Sequence, residues 1–138
     1  MSQETQPHIL VVENQASLSR FMVSLLNSNG FRTTLSPEGS HAMKVLERES
    51  VDVITIEPIA GITQDGAEMS GFDLLKLLKK HERFSQIPRI LVSRMPLYHP
   101  IHKEDIEGEH VLLQPIDPEE FIQKIREVRR FSSFDPVA

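Results

Sequence analysis

HILVVEN (residues 8–14) decides how the rest of the chain is read. Its first five residues form an unbroken apolar run, which predicts a strand covered on both faces rather than one with a wet side. The run stops on Glu13-Asn14, two polar residues at the strand's carboxyl end. The same shape returns three times: VDVITI (51–56) ends on Glu57, RILV (89–92) on Ser93, and HVLL (110–113) on Gln114-Pro115. Between these runs, apolar residues recur at helical spacing. Leu18, Phe21, Met22, Leu25 and Leu26 predict a first helix with an apolar stripe, stopped at Gly30. FRTTL (31–35) alternates and is β-branched, which predicts an edge strand.

Helix starts are equally legible. Ser36-Pro37-Glu38 reads as a capping hydroxyl, a first-turn proline and an acid near the positive dipole end, followed by Ala42, Val45 and Leu46. Ser70-Gly71-Phe72-Asp73 has capping-box spacing and opens a helix carrying Leu74, Leu75 and Leu78. Asp117-Pro118-Glu119-Glu120 begins a last helix with Phe121, Ile122, Ile125 and Val128 inside. RMPLYHPIHKEDIEG (94–108) is weaker and supports at best a short helix around 101–107. Five βα units in one chain predict an α/β fold: a doubly wound parallel sheet with right-handed crossovers. Such folds place their chemistry in the crevice at the strands' carboxyl ends.

Bulk properties narrow the function. A length of 138 residues predicts one domain, taken as 7–131, with flexible termini at 1–6 and 132–138. The formal net charge of −5 argues against gripping nucleic acid or an anionic membrane surface. The chain has no cysteine, which excludes a disulfide framework and suits a cytoplasmic setting. The N-terminus lacks the pattern of a secretory signal, and no apolar stretch reaches membrane-spanning length.

In element order and strand character, and in the segment Ile87-Pro88-Arg89-Ile90-Leu91-Val92-Ser93, the chain resembles a response-regulator receiver domain of two-component signalling. The resemblance runs from about residue 7 to 131. It implies a flavodoxin-like fold with five parallel strands in the order 2-1-3-4-5 and about five helices. It also implies a site: an acid pair after strand one holding magnesium, a phosphate-accepting aspartate after strand three, a switch Thr or Ser after strand four, and a Lys-Pro with a cis peptide bond after strand five. Those positions here are Glu13-Asn14, Glu57, Ser93 and Gln114-Pro115.

Each departure weakens the family's chemistry. Glu13-Asn14 removes one charge from a magnesium site that wants hard anionic oxygens, so Glu13, Asn14 and Glu57 are expected to bind the ion weakly or not at all. Glu57 carries one methylene more than aspartate and displaces the nucleophile by about 1.5 Å. A misplacement of about 1 Å can already cost about a hundredfold in rate. Gln114 donates a hydrogen bond but cannot neutralise an oxyanion as lysine does. The switch's usual aromatic partner is replaced by Val111. The expectation is a pseudo-receiver that is not an enzyme, needs no cofactor and signals through protein contacts.

Other readings stay open on sequence alone. Glu57 could imitate a phosphorylated aspartate, accept phosphate slowly in a histidine-kinase phosphorelay, or be a polar strand end facing water. With no lysine between them, Glu13 and Glu57 are expected to repel one another and to titrate high. A flavin, nucleotide or quinone site is the remaining alternative, opposed by Glu-Asn-Gln-Ala-Ser where a glycine-rich phosphate loop would stand. His99 and His102 read as an exposed helix start rather than metal ligands. Lys124, Arg126, Arg129 and Arg130 read as the solvated end of the last helix. The resemblance makes the face of helix four, strand five and helix five an expected docking or homodimer surface for a kinase, output domain or other regulator. The long 57–70 loop, with Gly61, Asp65, Gly66 and Glu68, is the other candidate.

Overall fold

The computed structural model describes residues 6–61, 69–94 and 103–132. Five strands, β1 (His8–Val12), β2 (Arg32–Ser36), β3 (Val53–Ile56), β4 (Arg89–Ser93) and β5 (His110–Leu113), form one parallel sheet in the order β2-β1-β3-β4-β5. Among the described residues the helices are α1 (Ala16–Ser28), α2 (Gly39–Arg48), α3 (Gly71–Lys80), α4 (Lys103–Ile106) and α5 (Pro118–Ser132). The expected doubly wound topology is the one observed. The expected flexible termini, 1–6 and 132–138, lie outside the described residues except for Gln6 and Ser132. Also outside are His99, His102, Asp65, Gly66 and Glu68.

Every residue of β1 is buried, as its apolar run requires. Successive strand side chains point to opposite faces. Ile9 and Val11 therefore join Met22, Leu26, Phe121 and Ile125 beneath α1 and α5. Leu10 and Val12 join Ala42, Leu46, Leu74 and Leu78 beneath α2 and α3. The sheet is thus the wall between two apolar layers, with β1 an interior strand between β2 and β3.

Local signals account for most boundaries. The Ser70 hydroxyl accepts from the Asp73 amide at 3.1 Å and the Asp73 carboxylate from the Ser70 amide at 3.2 Å, completing the capping box. The Asp117 carboxylate caps α5 by accepting from the Glu120 amide at 2.9 Å. Gly30 takes φ 88° just after α1, a conformation open to glycine at little cost.

Three expectations need correction. Ser36 does not cap α2: it is the buried last residue of β2, and its hydroxyl pairs with His41 Nδ1 at 2.7 Å. Glu38 caps instead, accepting from the Ser40 and His41 amides at 2.9 and 2.7 Å. Phe21 is not in the core but 41% exposed. At 3.6 residues per turn it points roughly 120° away from the Met22–Leu26 direction. The third strand begins at Val53, not Val51, because the Asp52 carboxylate turns to accept the His8 amide at 2.7 Å.

Candidate functional site

Strand register brings the polar ends together. Val12 lies opposite Ile56, Ile56 opposite Leu91, and Ser93 opposite Leu113. The ladder then continues one step past the strands. The Glu57 amide donates to Val12 O at 3.0 Å, the Gln114 amide to Ser93 O at 2.8 Å, and the Glu13 amide to Ser36 O at 2.9 Å. Glu13, Glu57 and Gln114 therefore start from backbone as fixed as the sheet itself. The Gln114-Pro115 peptide is cis.

Glu13, Glu57 and Ser93 are each about 98–99% buried, with exposures of 2%, 1% and 2%. The reading of Glu57 as a strand end facing water is therefore overturned. Its burial has a local cause: the chain after it turns back over the site. The Ala60 amide bonds Glu57 O at 3.0 Å, Gly71 bonds Ala60 O at 2.9 Å, and Phe72 bonds Pro58 O at 2.9 Å. Gly71 packs so closely that a Cβ there would lie 2.1 Å from the Glu57 carbonyl oxygen. No other residue type fits at that contact without displacing backbone.

Both carboxylate oxygens of Glu57 are engaged. Oε1 accepts from the Ile59 amide at 3.1 Å. Oε2 accepts from Gln114 Nε2 at 3.1 Å and faces Arg94 Nε at 3.8 Å. Glu13 differs: Oε2 accepts from the Gln15 amide at 2.9 Å, while Oε1 is buried with no hydrogen-bond partner. Asn14 is exposed, and Val111 is half-buried against the α2–α3 apolar layer.

Burial dominates the electrostatics. Desolvation pushes both the Glu13 and the Glu57 carboxyl above the ordinary carboxylate value of 4.5. At Glu57 the Ile59 amide opposes this, the Glu13 charge adds to it, and the charge and amide of Arg94 oppose it. At Glu13 the Gln15 amide is the main opposing influence, followed by the Arg94 charge. The direction is the one expected from the sequence, but burial rather than like-charge repulsion is its chief cause. Nor is the crevice without a cation, since Arg94 supplies one. Sequence reasoning missed Arg94, whose only signal was a basic residue directly after the β4 serine.

The arrangement does not fit a magnesium ion. Magnesium demands near-octahedral oxygen ligands, one or two of them carboxylates with free lone pairs. Among the described residues no group of three His, Cys, Asp or Glu side chains could hold a metal. Glu57 is already occupied by two donors and a guanidinium, which leaves the single unpartnered oxygen of Glu13.

At the far end of the molecule, Arg126, Arg129 and Arg130 are exposed on α5 as expected, whereas Lys124 is half-buried and pairs with Glu127 at 3.4 Å. Arg126 also lies over the Phe31 ring, 5.9 Å from its centroid. No helix among the described residues is long and apolar enough to cross a membrane.

Comparison with known proteins agrees with this geometry. A family model described as the response regulator receiver domain matches residues 9–126. The chain is 32% identical over 115 residues to the two-component response regulator ORR5 of Oryza sativa subsp. japonica, covering 81% of each protein. It is 22% identical over 128 residues to the transcriptional regulatory protein BaeR of Escherichia coli, covering 92% of this chain and 50% of that one. Among solved structures, the receiver domain of sensor histidine kinase PA1611 from Pseudomonas aeruginosa PAO1, with magnesium coordinated in its active-site cleft, superposes with a TM-score of 0.77 at 19% identity, covering 91% of this chain and 99% of that one. A CheY-like receiver domain protein from Methanospirillum hungatei JF-1 gives 0.77 at 15% identity, covering 94% and 98%. Those two structures share the fold. The family match and the plant relative establish more: this chain belongs to the receiver-domain family of two-component response regulators.

Proposed function

We propose that residues 7–131 form a receiver unit whose output does not depend on phosphoryl transfer and which signals by binding another protein. The observation that carries this reading is the state of Glu57. A carboxylate nucleophile must present a free lone pair in line with the phosphorus, beside a cation that takes up the developing charge. Glu57 instead directs one oxygen to the Ile59 amide and the other to Gln114 and Arg94. Attack would require breaking a buried hydrogen bond while carrying the carboxylate one methylene away from the aspartate position.

The remaining switch parts support the same reading. Ser93 keeps its buried hydroxyl, but Val111 presents no ring for it to move. The Arg94 ion pair also offsets the charge by which Glu57 would imitate a phosphorylated aspartate. The face of α4, β5 and α5 is the proposed docking surface: Leu113 of β5 is 50% exposed, and Glu120, Lys124 and Glu127 of α5 line a hollow with Val111 and Leu112 of β5, whereas Arg126 and Arg130 turn towards α1. The acidic net charge of −5 favours a protein partner over nucleic acid or membrane, in a cytoplasmic setting.

Intact mass spectrometry after incubation with magnesium and a small phosphodonor tests this proposal. The expected result is no added phosphoryl mass. Phosphate on Glu57 would make the chain a working phosphoacceptor and overturn the reading.

A further inference from the structure

We infer that Arg94 is a built-in counter-ion that stands in the crevice in place of a divalent cation, so that the cleft refuses magnesium while Arg94 is present and accepts it when Arg94 is removed. The inference deepens the proposal of a phosphorylation-independent receiver and rests on that reading of the crevice.

Two buried carboxylates side by side need positive charge close by, because two like charges withdrawn from water are costly. Glu13 and Glu57 are both at least 98% buried, with exposures of 2% and 1%. Gln114 contributes a hydrogen bond of 3.1 Å to Glu57 Oε2 but no charge. The cation comes from the neighbouring strand: Arg94 follows Ser93 at the end of β4, and its Nε faces the same Oε2 at 3.8 Å. Its charge also acts on Glu13. A guanidinium cannot lose its proton under ordinary conditions, so it is a permanent charge. A magnesium ion entering beside it would meet like-charge repulsion and a carboxylate already in use.

The crevice nevertheless retains the start of a donor set. Glu13 Oε1 is buried and lacks a hydrogen-bond partner, an arrangement that normally costs stability unless something completes it. Without the Arg94 side chain, Glu57 would keep only neutral donors: the backbone amides of residues 59 and 94 and the side chain of Gln114. The two carboxylates would then present an uncompensated double negative charge with one orphan oxygen, which is the condition that recruits a hard cation. Arg94 belongs to neither apolar layer, so truncating it leaves the core contacts intact.

The experiment is magnesium titration followed by amide NMR on the full chain, in wild type, Arg94→Ala, Arg94→Lys, and Arg94→Ala combined with Glu13→Gln. Dispersed spectra report that each variant is folded. Wild type and Arg94→Lys should show no saturable shifts at residues 13, 57 and 93. Arg94→Ala should show saturable shifts there, with affinity at least about tenfold above wild type. Adding Glu13→Gln should abolish the gain. Saturable magnesium binding by wild type as strong as by Arg94→Ala would overturn the inference, and so would a folded Arg94→Ala that gains no affinity. Either failure is separable from failure of the proposed function, which is read as phosphoryl mass on wild type rather than as metal affinity.

Discussion

Removing the charge of Arg94 and of Glu57, singly and together, measures how far the crevice depends on its internal ion pair. The separation of 3.8 Å sets the scale. Coulomb's law gives about 4 kcal/mol at an effective dielectric of 20 and about 1 kcal/mol in bulk water. Arg94 is 38% exposed, so solvent screens the pair strongly and the lower end applies. The expected coupling is therefore about 1–2 kcal/mol. Glu57→Gln keeps an acceptor for the Ile59 amide and the Gln114 side chain while removing charge, and Arg94→Ala removes the cation. Urea unfolding of wild type, both single variants and the double variant closes the cycle. It belongs at a pH above the Glu57 ionisation midpoint, which burial raises and which carbon-detected NMR titration of the folded chain fixes beforehand. Arg94→Ala alone should be the least stable, because it leaves Glu57 charged and uncompensated; adding Glu57→Gln should restore part of the loss. High salt should shrink the coupling. A coupling of less than about 0.3 kcal/mol at low salt would refute the assignment of Arg94 as counter-ion.

Two further outcomes follow from the same geometry. Glu13 and Glu57 both ionise above their ordinary value of 4.5 in the folded chain, so between that value and the raised ones the folded state binds more protons than the unfolded. Their contribution to stability is then full below the ordinary carboxylate range and lost as pH rises through the raised values. Glu13→Gln should flatten this part of the pH–stability curve, so that its urea midpoint falls less than that of wild type as pH rises; an unchanged curve would refute the buried-charge account. Gly71→Ala places a Cβ 2.1 Å from the Glu57 carbonyl oxygen, a backbone atom with no easy retreat. It should destabilise by about 1–3 kcal/mol in thermal unfolding and shift the Glu57 amide resonance, whereas an alanine variant as stable as wild type would show that the contact relaxes freely.

What the sequence made legible was position. The unbroken run from His8 to Val12 required a strand covered on both faces, and β1 is an interior strand and wholly buried. Ser70 and Asp73 at capping spacing produced the observed reciprocal cap, since both groups act within one helical turn. The placement of Glu13, Glu57, Ser93 and Gln114 at one pole of the sheet was equally readable, because parallel strands align their ends. Contacts formed between elements were not readable. Nothing in the residues near Glu57 announces that the following turn seals it from water through Ala60, Gly71 and Phe72. Arg94 lies beyond the apolar run of β4, where periodicity no longer says which way a side chain turns. Ser36 looked like a cap because serine, proline and acid stood in the right order. The helix began two residues later because the two carboxylate oxygens of Glu38 satisfy two amides where the hydroxyl would satisfy one.

The central claim is that the receiver fold is kept here without its phosphate switch. It is tested most directly by amide NMR of the wild-type chain before and after magnesium with beryllofluoride, a stable mimic of an acyl phosphate. The account predicts that resonances of residues 13, 57, 93 and 114 stay in place and that β5 and α5 show no coupled shift. Saturable movement at those four residues, propagated into β5 and α5, would show a working switch and contradict it.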